Sequence, residues 1–361
     1  MPTQLRISPP PDYVLARDAC SYGYFLLSPN NWSPASGTFT TTLDLAGRGV
    51  GDATTIHITQ PGERASHAHL RGRALRVNAD RTLTDPDRAE LRRLVTRILR
   101  LDEPEQIVRD FHKRDPRYAP RAKNTCAGRG RLMRSPTLFE DVIKTVTSCN
   151  VTWPSTIIMN RGLCQVLGRR SASELHAFPT AEKVAAARPA TLRARCTVGY
   201  RDQRIVDLAK MFARGKINEA WLEDPATPDD EVFEALLEWP GIGPYAAANI
   251  MQLLGRYARL PLDTESIRHG KAVLGYKGTD RAIMAAIHKH YQPMGAHAFR
   301  SYWFELWEFY EAKRGPSWTW ERETTGKTFT AALLKELKKE PAPTEAREPR
   351  RSPPASRRRA T

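Results

Sequence analysis

Short apolar and β-branched runs alternate with turn residues over roughly the first hundred positions. Runs of this kind stand at 22–27, 39–45, 54–59 and 74–77, and the run at 54–59 alternates strictly. Gly, Pro, Asn and Asp occupy the gaps between them, as they do in turns. The pattern predicts four strands of a small antiparallel sheet.

A helical spacing of apolar residues begins where the strand pattern ends. Thr84 is suited to cap a helix, and Pro86 is welcome in its first turn. An apolar stripe with three- and four-residue spacing follows at Leu91, Leu94, Val95, Ile98 and Leu99. The sequence therefore predicts one helix directly after the sheet.

From about residue 103 to 337 the pattern is helical, with short loops expected between the helices. Helix starts are predicted at Ser135, Thr180 and Pro228, each followed by apolar residues on one face. The predicted fold class is α+β, in which a small antiparallel-sheet domain is followed by a larger α-helical domain. The predicted boundaries are 1–115 for the sheet-containing domain and 116–337 for the helical domain.

The last residues, 338–361, have the composition of a disordered basic tail. They contain eight Lys or Arg and three Glu, a net charge of 8 − 3 = +5, with no aliphatic residue larger than Ala. The whole chain of 361 residues carries 56 Lys or Arg against 40 Asp or Glu, a formal charge of +16. The remaining 16 − 5 = +11 indicates a polyanion as partner of the ordered part.

Composition excludes several other classes of protein. The chain is 40 % hydrophobic and has no apolar run of the ~18 residues that a membrane helix needs, and its start lacks a secretory pattern. We therefore expect an intracellular protein with no membrane partner. Five scattered cysteines and the pairs His67/His69 and His288/His290 lack the spacing of a metal site or a disulfide framework. We expect surface histidines and no metal.

The most informative segment runs from 237 to 249, where a tight turn joins two predicted helices. Pro240 disfavours helical geometry in the residue before it, so the first helix is expected to end at Trp239. Gly241 and Gly243 permit positive φ and close approach, and a second helix is expected to run to about Leu254. Amides exposed beside a helix N-terminus suit a phosphate, although such a turn also serves as a plain connection.

Asp263 follows Gly243 by 20 residues. From its residue type alone it is a good N-cap for the next helix.

This hairpin and its Asp resemble the helix-hairpin-helix (HhH-GPD) DNA glycosylase superfamily, including the 8-oxoguanine and 3-methyladenine (alkylpurine) branches. The likeness extends over roughly residues 15–312. It implies base-excision DNA repair, with damaged double-stranded DNA as partner and Asp263 as the catalytic carboxylate. A monovalent cation held by hairpin carbonyls is implied by the resemblance only, and no other cofactor is expected. We expect a DNA-associated monomer.

Further segments carry the same resemblance. The stretch 147–150 resembles the helix end with which 8-oxoguanine glycosylases probe the opposite strand, which assigns that contact to Asn150. Tyr200 and Arg201 stand in a Gly-Tyr-Arg segment that resembles the turn wedging the duplex. From residue type alone, Asn150 is equally a helix cap and Tyr200 equally a tyrosine at the rim of the core.

The bifunctional branch of the family carries a lysine two residues after the second hairpin glycine. Tyr245 occupies that position here, and no lysine lies between 217 and 270. The resemblance therefore implies a monofunctional enzyme without lyase activity, as in the alkylpurine branch, because no amine is placed to form a Schiff base. Tyr245 is assigned to DNA and to the base pocket, with packing as the alternative.

A base pocket needs aromatic faces, and residues 298–310 contain seven aromatics. We assign Trp303, Glu305 and Phe309 to the pocket, the last two by loose alignment with the oxoguanine branch. Asn249 is added because its amide suits a polar base edge. Core packing is the alternative for any single aromatic.

Two aromatics and a carboxylate favour a cationic alkylated purine, such as 3-methyladenine. The alternatives are an 8-oxoguanine-type glycosylase and a non-catalytic protein that binds damaged DNA.

Overall fold

Five strands form one antiparallel sheet in the N-terminal part of the chain. A computed structural model describes residues 2–45, 53–61, 71–124 and 126–328. The strands are β1 (Gln4–Ile7), β2 (Asn31–Ser33), β3 (Thr38–Leu43), β4 (Thr54–Thr59) and β5 (Leu75–Ala79). They pair in the order β1-β5-β4-β3-β2. The predicted antiparallel sheet is confirmed, with β1 and β2 as strands that the pattern did not predict.

The register of the sheet separates an apolar face from a polar one. Phe39 lies opposite Ile58, and Ile58 lies opposite Val77, and all three side chains are buried. On the other face, Thr40 Oγ1 and His57 Nδ1 are 2.9 Å apart in a cross-strand hydrogen bond. One face of the sheet therefore packs into the core while the other presents polar groups.

The run at 22–27, predicted as a strand, is instead a buried 3-10 helix, Gly23–Leu26. A short apolar run is compatible with either a buried strand or a helical turn, and periodicity cannot separate the two. The Tyr24 hydroxyl donates to the backbone oxygen of Asp141 at 3.3 Å, and its oxygen lies 3.0 Å from Thr145 Oγ1. These contacts fix the segment against the helical part of the chain.

The rest of the described chain is mainly helical. The α-helices are α1 (Leu15–Ala19), α2 (Asp85–Ile98), α3 (Glu105–Arg114), α4 (Leu138–Ser148), α5 (Trp153–Leu167), α6 (Ala181–Ala185), α7 (Pro189–Cys196), α8 (Asp202–Ala213), α9 (Glu219–Glu223), α10 (Asp229–Leu237), α11 (Pro244–Leu254), α12 (Thr264–Ala272), α13 (Asp280–Tyr291), α14 (Ala298–Arg314) and α15 (Arg322–Thr328). Short 3-10 helices are Pro116–Tyr118, Gly199–Arg201, Gln292–His297 and Ser317–Thr319. The predicted α+β class is thus confirmed.

Side-chain caps explain several of the helix starts. Thr84 accepts a hydrogen bond from the amide of Asp87, and Thr180 accepts one from Lys183. Both residues therefore start helices where the sequence predicted. The helix predicted from Ser135 begins slightly later, since the capping residue is Thr137.

The described residues of the long segment 119–137, namely 119–124 and 126–137, contain no regular helix or strand, which corrects the expectation of short loops after residue 103. Buried arginines attach it to the rest of the molecule. Arg129 pairs with Glu311 at 2.6 Å, and both side chains are fully buried. This segment is therefore held in place by an ion pair and hydrogen bonds rather than by secondary structure.

The described residues form two hydrophobic cores. The first joins the inner face of the sheet with α2, α3 and the helices from α12 to α14. The second is built from the helices between α4 and α11. The chain therefore enters the first core, builds the second and returns to the first. The domain boundary at 115/116 stays a prediction.

Two sequence predictions fall on residues outside the described ranges, namely the basic tail at 338–361 and the pair His67/His69. Within the described residues, no helix is both long and apolar enough to cross a membrane.

Candidate active site

The turn between α10 and α11 has the shape that its two glycines and two prolines suggest. The first helix ends at Leu237, two residues before the predicted end at Trp239. Gly241 adopts φ +76°, and a Cβ on it would stand 2.5 Å from Arg204 Cδ. The backbone angle therefore favours glycine at 241, and a larger residue there would also have to displace the flexible side chain of Arg204.

Gly243 differs from the prediction. Its φ is −100°, which any residue can adopt, and a Cβ there would meet no described atom within 4 Å. Gly243 is the N-cap of α11, no side chain caps that end within the described residues, and Pro244 occupies the first turn. Backbone amides at this helix start are therefore available to an anion, and the space beside Gly243 is open.

Asp263 is the N-cap of α12, as its residue type indicated. Its Oδ1 accepts hydrogen bonds from the amides of Glu265 and Ser266 at 3.0 and 3.1 Å, and from Ser266 Oγ at 3.2 Å. All its side-chain hydrogen bonds with described residues fall on Oδ1. The other oxygen, Oδ2, has no partner in the described part of the chain, so one carboxylate both caps the helix and presents a free oxygen.

The Tyr302 hydroxyl contacts Ser266, the residue whose own hydroxyl bonds the Asp263 carboxylate. Tyr302 Oη lies 2.6 Å from Ser266 Oγ, which also accepts from the Asp263 amide at 3.1 Å. Because the single Ser266 proton goes to Asp263, Tyr302 must donate to Ser266. The chain Tyr302–Ser266–Asp263 therefore fixes the orientation of the carboxylate.

Burial is the largest influence on the charge of this group. It raises the pKa of Asp263 above the ordinary value of 3.8, while the hydrogen bonds from Ser266 act in the opposite direction. The nearby charge of Glu265 raises the pKa further.

Asp263 opens into a cavity of about 370 Å³ between the two cores. The lining includes eight aromatic side chains: Tyr22, Tyr24, Trp153, Tyr245, Tyr302, Trp303, Trp307 and Tyr310. It also includes the carboxylate-bearing residues Asp263 and Glu265, and none of the described lining residues is Lys or Arg. The cavity is thus aromatic and carries acidic groups, which suits a flat, electron-poor ligand.

Its walls come from distant parts of the sequence. The rings of Tyr22 and Trp303 have centroids 4.8 Å apart, and Trp303 Nε1 donates to the backbone oxygen of Ser21 at 2.8 Å. The residues around Tyr22 were missed as cavity residues because their apolar run was interpreted as a strand. An aromatic pair within that run, Tyr22 and Tyr24, was the available signal.

Tyr245 and Asn249, both predicted in the pocket, line the cavity from α11. Burial raises the pKa of Tyr245 well above the ordinary value of tyrosine, so its hydroxyl is neutral. The Asn249 amide donates to the Tyr245 backbone oxygen at 3.1 Å and accepts from Tyr22 at 3.5 Å. Each polar atom of Asn249 thus has one contact within the protein, and the amide keeps one further N–H and one further lone pair.

Glu305 and Phe309, predicted in the same pocket, lie outside its lining. Glu305 accepts from Tyr291 and pairs with His269 at 3.2 Å, while Arg268 covers Phe309 at 4.3 Å from its ring centre. Burial alone would raise the pKa of Glu305, but the hydrogen bonds from His269 and Tyr291 outweigh it and lower the pKa to about 2.

Glu305 and Phe309 lie outside the cavity lining because of their rotational position around the axis of α14. Residues 302, 303, 306, 307 and 310 of α14 face the cavity, and residues 305 and 309 fall beside this stripe.

Asn150 lies in the turn between α4 and α5, exposed and with φ 53°. Its neighbours Ser148, Val151 and Trp153 line the cavity, which puts this turn at the cavity rim. Tyr200 is 57 % exposed, unusual for so large an aromatic, and lies in the 3-10 helix Gly199–Arg201.

Arg201 differs from its predicted contact with DNA. It is only 4 % exposed, and its guanidinium donates to backbone oxygens of the protein, including Val146 O at 3.2 Å. These acceptors turn the side chain inward and leave little of it exposed for a contact with DNA.

No group of three or more His, Cys, Asp or Glu side chains could hold a metal ion within the described ranges. The five cysteines all lie in the described ranges and form no disulfide, and burial raises the pKa of Cys149 to about 11. His290 Nδ1 lies 3.0 Å from the Tyr276 hydroxyl.

Comparison with known proteins places the fold. No protein-family model matches the sequence, and neither does any curated protein. Among solved structures, 3-methyladenine DNA glycosylase from Archaeoglobus fulgidus is similar with a TM-score of 0.62 at 17 % identity, over 85 % of this chain and 98 % of that one.

The 8-oxoguanine glycosylase/lyase of Clostridium acetobutylicum is similar with a TM-score of 0.60 at 16 % identity, over 85 % and 98 %. The structure of the same enzyme in complex with double-stranded DNA containing cytosine opposite 8-oxoG is similar with a TM-score of 0.56 at 15 % identity, over 81 % of this chain and 93 % of that one. The chain therefore has the fold of the DNA glycosylases, as the sequence resemblance implied.

Proposed function

We propose that this protein is a base-excision-repair DNA glycosylase that hydrolyses the bond between deoxyribose and an alkylated purine in double-stranded DNA. The observation that carries the proposal is Asp263, which lines an aromatic cavity beside a hairpin with available amides and whose Oδ2 has no partner among the described residues. The shared glycosylase fold supports the same conclusion.

The chemistry requires a carboxylate at this place. Cleavage of a base–sugar bond is largely dissociative, so positive charge develops on the sugar. Asp263 stabilises that charge through Oδ2 and orients the attacking water, while Oδ1 stays bound to the start of α12. Raising the pKa by burial leaves a more basic carboxylate, which is suited to accept a proton from water.

The lining favours a cationic base. Aromatic faces attract a positively charged ring, and no described Lys or Arg in the lining competes with it. Purines methylated at N3 or N7 carry such a charge. An 8-oxoguanine reader needs polar groups that face the base, and Asn249 already shares its amide with the Tyr245 backbone oxygen and the Tyr22 hydroxyl. Alkylpurine is therefore our first substrate class and 8-oxoguanine the second.

The proposed enzyme has no lyase activity. Tyr245 lines the cavity where the bifunctional relatives carry a lysine. Lys144 lies behind the wall, 5.4 Å from the centre of the Tyr24 ring, and is paired with Glu140 at 2.6 Å. It is fully buried and engaged, so it is a poor nucleophile for an abasic sugar.

DNA is gripped, in this proposal, through the hairpin amides and probed by exposed groups at the rim. Asn150 faces the strand opposite the lesion, and Tyr200 fills the space left by the flipped nucleotide. The monovalent cation at the hairpin remains a prediction carried by the resemblance. The intracellular, DNA-associated location and the monomeric state remain predictions as well, the location from composition and partner and the monomer as the default.

The decisive experiment is Asp263→Asn, assayed by base release from a duplex containing 7-methylguanine. Asparagine is also a good N-cap, so the variant is expected to fold. We expect single-turnover release to fall about 10²- to 10⁴-fold while the Kd for DNA stays within about threefold. Asp280→Asn, which removes an exposed carboxylate from the first turn of α13, is the matched control.

Unchanged release by Asp263→Asn would refute the catalytic role, and binding without release by the wild type would favour the damage-binding alternative. A panel of duplexes with 3-methyladenine, 7-methylguanine, 8-oxoguanine or uracil identifies the base. Release of 8-oxoguanine alone would replace the alkylpurine assignment. Borohydride is expected to trap no covalent adduct, and a trapped adduct would show a lyase.

A further inference from the structure

Three separate turns carry the groups proposed to meet DNA. They are the turn at Asn150, the turn at Tyr200 and the hairpin at Gly241. All three have a left-handed backbone residue: φ is 53° at Asn150, +60° at Gly199 and +76° at Gly241. Glycine adopts such angles freely, but Asn150 is a non-glycine residue whose left-handed backbone is kept by its surroundings, so the contacts between these turns matter.

Arg201 connects the first two turns. Its Nε donates to the backbone oxygen of Val146 at 3.2 Å, and Nη2 donates to that of Cys149, the residue before Asn150. Nη1 donates to Val198 O at 3.5 Å, in the segment that leads into Tyr200. One buried guanidinium therefore bonds the end of α4 and the turn of Tyr200 together.

The same guanidinium supports the tyrosine ring. Arg201 Cζ lies 4.4 Å from the centre of the Tyr200 ring, within cation–π range. Tyr200 as a whole is nevertheless 57 % exposed, so its ring contacts the Arg201 guanidinium while much of its surface stays open to solvent. A planar guanidinium is suited to this double task of bonding and stacking, whereas an ammonium is not.

Arg204, on the exposed side of α8, connects Tyr200 to the hairpin. Its Cζ lies 5.5 Å from the centre of the Tyr200 ring. Its methylene groups pass so close to Gly241 that a Cβ there would be 2.5 Å from Cδ and 3.2 Å from Cγ. The side chain thus lies between the aromatic ring and the hairpin.

We propose that Arg201 and Arg204 are positioning residues that join the three turns into one rigid unit. In that unit, seating the hairpin on phosphates places Tyr200 against the base pair to be opened. The inference rests on the proposed function, since it assigns these residues to the extrusion of the nucleotide. It separates them from the chemistry at Asp263, which they do not touch.

The consequence is a dependence on base pairing. A base that is already unpaired costs little to extrude, while a paired one costs a few kcal/mol. Loosening Tyr200 should therefore slow release from a fully paired duplex and spare release from a duplex in which the same lesion lies in a single-nucleotide bulge. A loss of general structural integrity would slow both equally.

The test uses two variants. Arg201→Lys keeps the positive charge but loses the planar guanidinium and its several N–H donors. Arg204→Met keeps an aliphatic side chain beside Gly241 but loses the guanidinium. Single-turnover release of 7-methylguanine is measured on paired and bulged duplexes. We expect Arg201→Lys to slow the paired substrate about tenfold and the bulged one less than about threefold, with a smaller difference for Arg204→Met. Lys210→Met, on the same helix, is the control.

Equal slowing of both substrates, or no slowing, would overturn the inference. Should Arg201→Lys fail to fold, the exposed Arg204→Met still decides it. If the wild type releases no base at all, the proposed function fails, and 2-aminopurine fluorescence beside the lesion then reports extrusion directly. A wild-type signal that Arg201→Lys abolishes supports the positioning role without catalysis, and an equal or absent signal in both rejects it.

Discussion

The hairpin and the cavity meet at α11 but are built in opposite ways. The hairpin is a contiguous stretch of about a dozen residues whose shape follows from the left-handed Gly241 and two prolines. The cavity gathers side chains from the 3-10 helix Gly23–Leu26, the α4–α5 turn, α11, α12 and α14. One region offers backbone amides to its ligand, and the other offers side chains.

This difference teaches where substitutions should act. A grip made of backbone amides depends on the path of the chain and is changed only by residues that alter that path. A cavity made of side chains depends on burial, ring packing and the orientation of one carboxylate. Substitutions in the hairpin should therefore change the Kd for DNA, and substitutions in the cavity should change the rate of base release.

The largest effect on this comparison is expected from Gly241→Ala. The left-handed backbone and the close contact with Arg204 should cost about 1–3 kcal/mol in the free energy of unfolding. Displacement of the hairpin amides should raise the Kd for DNA about tenfold or more. Thermal unfolding and titration of labelled DNA measure the two quantities, and release from saturated complex should stay near the wild-type rate.

Gly243→Ala is the matched control, because its backbone is unstrained and nothing described lies within 4 Å of the added methyl group. It should destabilise the fold by less than about 1 kcal/mol. If a DNA phosphate binds in the open space beside Gly243, the added methyl group obstructs it, and the Kd for DNA rises although the fold is little changed. A Kd unchanged in both variants would mean that the hairpin does not grip DNA.

A smaller effect is expected from Tyr302→Phe, which removes the hydroxyl behind Ser266. One lost hydrogen bond is worth about 0.5–1.5 kcal/mol, so release should slow about two- to tenfold while the Kd for DNA is unchanged. Tyr291→Phe removes a neighbouring buried hydroxyl that bonds Glu305 instead, and serves as control. Equal rate losses in the two variants would argue against the Tyr302–Ser266–Asp263 chain.

The smallest effect concerns the charge of Asp263. Its pKa is raised above 3.8 by burial, so the folded state binds the proton more tightly than the unfolded state does. Stability therefore falls as pH rises through the interval between the two pKa values, and the buried charge is a cost at neutral pH. Asp263→Asn should increase the free energy of unfolding at pH 7, and the gain should vanish at pH 3.

The same group gives the opposite trend in activity. Release needs the carboxylate ionised, so its rate should fall with decreasing pH at values above those of an exposed aspartate. The rate of base release from the same DNA without enzyme is measured and subtracted at each pH. Urea unfolding and the pH–rate profile together test whether one carboxylate accounts for both trends, and a destabilised Asp263→Asn would contradict the stability prediction.

Features whose causes lie within a few residues were predictable from the sequence. Thr84 and Thr180 cap helices because the cap contacts an amide three residues on. The strand at Thr54–Thr59 follows from alternation of polar and apolar residues, and the turn at Gly241 follows from glycine's ability to adopt positive φ. Asp263 was identified by its distance from that turn, together with the family resemblance.

Other features were decided by tertiary packing. Tyr22 reaches the cavity because its segment folds back on α14, and Glu305 misses it because the phase of that helix turns it towards His269. Arg201 points inward because Val146 and Cys149 offer backbone acceptors there. Residue type says what a side chain can bind, but which partner it meets depends on the three-dimensional arrangement of distant segments.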